Sequence, residues 1–258
     1  MVDVTKEKRV MTITLNRPEA LNAANNATYK GIREALQDAE CDQGIAVVVI
    51  TGAGRAWCAG QDLGEMNARN AGENTDPSEF PPMLRVLVAF KKPIIAAVNG
   101  IGVGIGMTFL SHCDLVLMSS SAKLKTPFPQ LGLAPEAGSS HTFIQVMGWQ
   151  NAAYTLMSGR WFSAEECHEM GLVWRVCAPE TLMDEAHEVA QELAAKPIPS
   201  LVATKELLLA SGRPVQTIAA HEREGEAFKD LLGAPANVEA IKAFMEKREP
   251  DFSGIPGI

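Results

Sequence analysis

The chain has 258 residues, 47% of them apolar and 21% charged, with a formal net charge of −8. That length and balance fit one large globular unit, or a core with a small appendage, and exclude both a stapled mini-fold and a low-complexity disordered chain. The acidic balance, with no basic stripe interleaved with aromatics, excludes nucleic acid as a main partner.

Cys41, Cys58, Cys113, Cys167 and Cys177 form no C-x-x-C pair and no zinc-like spacing with the histidines. They read as reduced, buried thiols, and no metal site is expected. The first ten residues lack the apolar stretch of a signal peptide, and no apolar run reaches membrane-spanning length. The ending GIPGI is not a peroxisomal address, so the expected location is cytoplasmic, away from membranes.

In chain order, residues 10–15 alternate and are β-branched, a strand that ends at the turn residues Asn16, Arg17 and Pro18. Asn25 or Asn26 caps a helix running through Gln37. Residues 45–51 are continuously apolar, the pattern of a strand buried on both faces. The polar, proline-bearing stretch 66–82 reads as a surface loop or loose helix. Residues 93–98 form a second buried strand, 100–106 a glycine-rich turn, 107–113 a helix and 115–118 another short strand. A Ser163-x-x-Glu166 capping box starts a later helix, and from Asp184 the chain is helical with breaks at Pro197, Pro199, Gly212 and Pro235. Leu207, Leu208, Leu209, Phe228, Leu231 and Leu232 in that region should bury against the core or a neighbour. The sum is an α/β core over residues 1–195, followed by a helical region over 196–258.

The run Gly100-Ile-Gly-Val-Gly-Ile-Gly106 fails the G-x-G-x-x-G test, because Ile105 or Met107 stands where the third glycine belongs. A nicotinamide cofactor is therefore not expected. Between a strand and a helix, such glycines serve either tight packing or the close approach of backbone amides to an anionic ligand. The turn at 58–63, CAGQDL, follows the first buried strand in the same way. Two such turns facing each other would make an oxyanion hole, a pair of N–H donors aimed at a developing charge.

The segments NRPEALNA (16–23), ITGAGRAWCAGQDL (50–63), KPIIAAVNG (92–100), GRWFSAEE (159–166), MGLV (170–173) and FMEKR (244–248) resemble the enoyl-CoA hydratase/isomerase, or crotonase, superfamily along nearly the whole chain. The resemblance implies a spiral of repeated β-β-α units and a C-terminal helical region that builds a homotrimer or a dimer of trimers. It implies an acyl-CoA thioester as substrate, with no cofactor beyond coenzyme A and no metal. It places the oxyanion amides on Ala59 and Ile105. It also brings Ala23, Ala59, Gln61, Asp62, Leu63 and Phe128, with Phe244 and Lys247, to the thioester and its nucleotide.

The two glutamates of the family's hydratases fall on Thr108 and Phe128, neither of which titrates near neutral pH. Hydratase activity is therefore expected to be low. FPQLGLAPEAGSS (128–140) is similar instead to the Δ3,Δ2-enoyl-CoA isomerases, which place one glutamate where Glu136 stands. A single carboxylate suffices for a 1,3-proton shift. On its own, Glu136 would read as an acid favoured at a helix start; the resemblance makes it the base. The alternatives are another crotonase hydratase, lyase or ring isomerase, or a non-catalytic acyl-CoA-binding protein.

Overall fold

Successive residues of β3 (Val47–Gly52), a strand buried along its whole length, enter two different apolar clusters. Side chains leave a strand on alternate faces. Val48 and Ile50 pack with Met11, Leu36, Met83 and Phe90, while Val47 and Val49 pack with Leu117, Ala186 and Ala190. β5 (Ile94–Val98) repeats the division, with Ile94, Ala96 and Val98 on the first face and Ile95 and Ala97 on the second. The unbroken apolar runs of the sequence encode this two-sided burial. The computed structural model that shows it describes residues 1–70, 73, 76–246 and 248–255.

The six-stranded sheet has the order β1 (Val2–Glu7), β2 (Val10–Leu15), β3, β5, β7 (Leu115–Ser119), β10 (Arg175–Cys177). Only β1 is antiparallel to its neighbour. One face is covered by α1 (Asn26–Cys41) and α3 (Phe80–Ala89), the other by α7 (Leu182–Ala194).

After short turns, β3, β5 and β7 hand the chain to β4 (Ala56–Cys58), β6 (Ile101–Val103) and β8 (Lys123–Lys125). These three strands run parallel in a second sheet that the antiparallel β9 (Trp161–Ser163) completes. α2 (Leu63–Asn70) follows β4, and α4 (Ile105–Thr108) follows β6. This is the β-β-α repeat that the resemblance implied. It delivers the chain turns after β4 and β6 side by side.

Asn25, not Asn26, caps α1, accepting the amide of Thr28 at 2.9 Å, and both bonds of the Ser163–Glu166 capping box form at the start of α6 (Ala164–Glu169). The glycine run is not all turn, since 101–103 pair as β6. The helix expected over 107–113 is split between α4 and a 3₁₀ segment at Phe109–His112. Pro197 and Pro199 start α8 (Ile198–Leu209) rather than interrupt it, because a proline in the first turn forfeits no helical hydrogen bond. Within 66–82, α2 extends to Asn70 and α3 begins at Phe80; residues 71, 72, 74 and 75 lie outside the described residues.

α9 (Arg213–Leu231) lies across the start of α5 (Ser139–Ser158), and α10 (Pro235–Glu246) packs on the segment before it. Within the single chain Leu207, Leu208 and Leu232 are exposed, so of the two expected covers the core is not theirs; Leu209, Phe228 and Leu231 are half-buried. Of the cysteines, Cys41 is exposed and Cys113 half-buried, against the expectation of five buried thiols. No helix among the described residues is long and apolar enough to cross a membrane.

Candidate active site

The turns after β4 and β6 touch through their backbones. Any side chain at Gly106 would drive into the carbonyl of Cys58, and one at Gly60 would press on that of Val103. The indole Nε1–H of Trp57 donates to the carbonyl of Gly106 at 2.7 Å, clamping one turn to the other. The glycines therefore serve close backbone packing between the two turns. A small apolar cavity borders them, lined by Tyr29, Ile32, Trp57, Met83, Ile105 and Phe109 among others.

At the second turn, Ile105 is the first residue of α4, so its N–H has no carbonyl a turn behind it. Three nearby amides are occupied: Gly104 N–H bonds the Lys125 carbonyl, and those of Met107 and Thr108 bond that of Gly104. Among the described residues no acceptor meets Ile105 N–H.

The first turn corrects the sequence reading. Ala59 N–H, expected as an oxyanion donor, donates to the carbonyl of Leu21 at 3.0 Å and is spent. One residue on, the Gly60 carbonyl accepts Ala24 N–H at 2.7 Å, and Asp62 N–H donates to the Ala24 carbonyl at 2.9 Å. In an extended segment alternate peptide groups point opposite ways. Gly60 and Asp62 turn towards Ala24, so the N–H of Gln61 between them turns away, and no acceptor among the described residues meets it. The Gln61 side chain is held by Tyr29, whose hydroxyl donates to Oε1 at 2.7 Å. One amide in each turn, that of Gln61 and that of Ile105, is thus without an acceptor among the described residues.

Glu136 precedes α5, in a segment that the described chain brings back over α4. Thr108 donates its hydroxyl to Glu136 Oε1 at 2.6 Å. Burial is the main cause that pushes the Glu136 carboxyl up to about 8; the Thr108 bond opposes it and the nearby Glu224 carboxylate adds to it. The charge of Glu136 bears on Tyr29 and Cys58. Both are pushed up, first by burial and then by the carboxylate, the thiol to about 11. A thiol so placed stays protonated and is no nucleophile.

Of the other expected residues, Asp62 is paired with Arg17 at 2.9 Å and accepts the amide of Glu65, which holds its carboxyl below the usual range although burial works against this. Arg17 also donates to the Ala23 carbonyl at 2.7 Å, tying the two segments expected at the nucleotide. Leu63 is exposed and Phe128 is buried. The Phe244 side chain and Lys247 lie outside the described residues. Among the described residues no three His, Cys or carboxylate side chains converge as a metal site.

The family model described as enoyl-CoA hydratase/isomerase matches residues 5–255. The chain belongs to the enoyl-CoA hydratase/isomerase family. It is 37% identical, over 96% of both chains, to a 1,2-epoxyphenylacetyl-CoA isomerase of Escherichia coli K12. It is 35% identical, over 97% of this chain and 98% of the other, to a 2,3-dehydroadipyl-CoA hydratase of the same organism. The crystal structure of an enoyl-CoA hydratase/isomerase from Pseudoalteromonas atlantica T6c superposes with a TM-score of 0.91 at 32% identity, over 98% of this chain and 99% of that one. As a member of this family the chain is an acyl-CoA enzyme with the crotonase fold.

Sequence reasoning missed Leu21, Tyr29, His112 and Glu224 as neighbours of the site. Leu21 acts through a carbonyl, which no residue type signals. Glu224 sits in HEREGEAF, a stretch whose charge reads as a solvated helix face.

Proposed function

We propose that this protein is a Δ3-to-Δ2 enoyl-CoA isomerase that moves a double bond by a 1,3-proton shift on the single carboxylate of Glu136. The observation that carries the reading is a half-buried carboxyl, raised to about 8, in hydrogen-bond contact with the residue that stands three after the free amide of Ile105.

In this reading the thioester carbonyl oxygen lies between the amides of Gln61 and Ile105. Glu136 takes a proton from C2 of a 3-enoyl thioester, the electron pair moves onto that oxygen, and the two N–H donors stabilise the charge. The same carboxyl returns the proton to C4, leaving the double bond between C2 and C3. A carboxyl near 8 is suited to both halves, because its affinity for the proton lies close to the operating pH. Thr108 and Phe128, at the two hydratase positions, offer no group to activate water. The apolar side chains beside the turns, Tyr29, Ile32, Ile105 and Phe109 among them, are suited to face a hydrocarbon chain. Ala23, Asp62 and Leu63, with Phe244 and Lys247, belong to the coenzyme A contact, and the exposed leucines of α8 to contacts between copies in a trimer or hexamer.

A second reading, isomerisation of a cyclic or aryl thioester on the same carboxylate, is supported by the name of the 37% identical relative. One assay separates them. Turnover of 3-enoyl-CoA, with Glu136-dependent exchange of α-protons in heavy water, supports the leading reading. Turnover of cyclic thioesters alone supports the second. Binding of thioesters without turnover of any would make the protein a binder.

A further inference from the structure

Ala137 and Gly138, directly after Glu136, both hold the left-handed conformation, with φ of 62° and 72°. For alanine this costs on the order of 1 kcal/mol or more and persists only where neighbours impose it. The neighbours come from outside the segment. Glu224, on α9 and 6% exposed, accepts Gly138 N–H on Oε2 at 2.6 Å and Ser140 N–H on Oε1 at 2.8 Å. Burial pushes the His112 imidazole down to about 4, so it is neutral, and its Nε2–H donates to the Ala137 carbonyl at 2.9 Å. Ser139 closes the turn by donating its hydroxyl to the Glu136 carbonyl at 2.7 Å.

Both Glu224 oxygens accept, the pattern of an ionised carboxylate, and a buried charge of that kind needs a reason. Capping the N-terminus of α5 is one. The geometry assigns Glu224 a second role: it is a positioning residue that, resting on the function proposed above, aims Glu136 at the thioester by holding the Ala137–Gly138 buckle from α9. A cap for stability alone would be met by the Ser140 amide in the first turn of α5. Glu224 also takes the Gly138 amide, two residues after Glu136, which fixes where the Glu136 backbone leaves the helix axis.

Charge follows from the same placement. The groups facing Glu136 are Tyr29 from α1, Cys58 from β4, Thr108 from α4 and Glu224 from α9. Glu224 in turn faces His141 on α5 and His221 on its own helix, with Arg213, Arg223, Arg85 and Glu222 bearing on those histidines. Burial pushes both imidazoles down, so neither offsets its charge near neutral pH. The negative charge of Glu224 thus reaches Glu136 and favours the protonated carboxyl.

The test uses the full-length protein with Glu224→Gln and Glu224→Asp. Gln removes the charge and turns an NH₂ group towards one amide; Asp keeps the charge but is too short to hold both amides. Proton affinity is read in the free protein from the carboxyl resonances of ¹³C-glutamate-labelled samples, with Glu136→Gln assigning the signal. The Glu136 midpoint should fall by about half a unit or more in Glu224→Gln and stay nearer the parent in Glu224→Asp. In both variants kcat should fall about tenfold with KM within about twofold, the mark of a misaimed group rather than lost binding. A midpoint and a kcat that match the parent in folded Glu224→Gln would overturn the proposal. If Glu224→Gln does not fold, an unchanged kcat in Glu224→Asp overturns it. A wild-type protein without turnover whose Glu136 midpoint still moves in Glu224→Gln would refute the proposed isomerase and leave the coupling standing.

Discussion

Thr108 donates its hydroxyl to Glu136 at 2.6 Å, so the residue at one position where the family's hydratases resemble each other in carrying a glutamate is bonded to the carboxyl proposed as the base. In the proposed reading the site has one titrating carboxyl with a neutral hydroxyl partner. Thr108→Val keeps the shape, is fully buried and loses the donor. Because that bond holds the Glu136 carboxyl down against burial, its loss should move the acid limb of the rate profile to higher pH. Rate at neutral pH should fall several-fold. A limb that stays in place would show that the bond does not bear on the base.

Glu136→Gln should lower isomerisation by roughly 10²–10⁴-fold, the range ascribed to general acid–base catalysis. Thioester affinity should survive, since the amides of Gln61 and Ile105 are untouched. Wild-type protein should exchange α-protons in heavy water and the variant should not. Hydration of a 2-enoyl-CoA by the wild type should be slow, and efficient hydration would overturn the isomerase reading while leaving the family intact.

The pH dependence has a definite sign. A base must be ionised, so kcat/KM should rise with pH through about 8. For stability the sign is opposite. With the carboxyl raised from its ordinary 4.5 to about 8, the folded protein holds a proton that the unfolded chain releases between those values. Stability due to this group is full below 4.5 and declines as pH rises towards 8. Glu136→Gln should therefore gain thermal stability over the wild type across that window. A melting-temperature difference that stays flat from pH 5 to 8 would contradict the burial of the group.

Ile105→Pro tests the oxyanion donor by deleting one N–H. Position 105 is the first residue of α4, where proline is tolerated because no helical bond is lost. The rate should fall about 10²–10³-fold, as for other lost oxyanion donors. Stability should drop modestly, from the smaller side chain at a buried site. A folded variant with full activity would remove Ile105 from the mechanism.

The exposed Leu207 and Leu208, at 77% and 70%, should be covered by a second copy. Sedimentation should give a trimer or hexamer at micromolar concentration, and Leu207→Lys with Leu208→Lys should shift it towards monomer. A wild-type monomer would leave these leucines unexplained.

What the sequence settled by itself were features with a local cause. The two-sided burial of β3 and β5 is written in unbroken apolar runs; the cap at Asn25 and the box at Ser163–Glu166 are written in residue types at fixed offsets. The family was legible in motifs. The tertiary structure alone decided which backbone amides are free. Ala59 and Gln61 are two residues apart in one turn, and nothing in their side chains tells them apart as donors; only the Leu21 carbonyl at 3.0 Å on the first excludes it. The same holds for Glu224, which reaches Gly138 across 86 residues of chain. A hydrogen bond between distant backbone and side-chain groups leaves no periodicity, because it depends on where the folded elements meet and not on what lies next to either group in the chain.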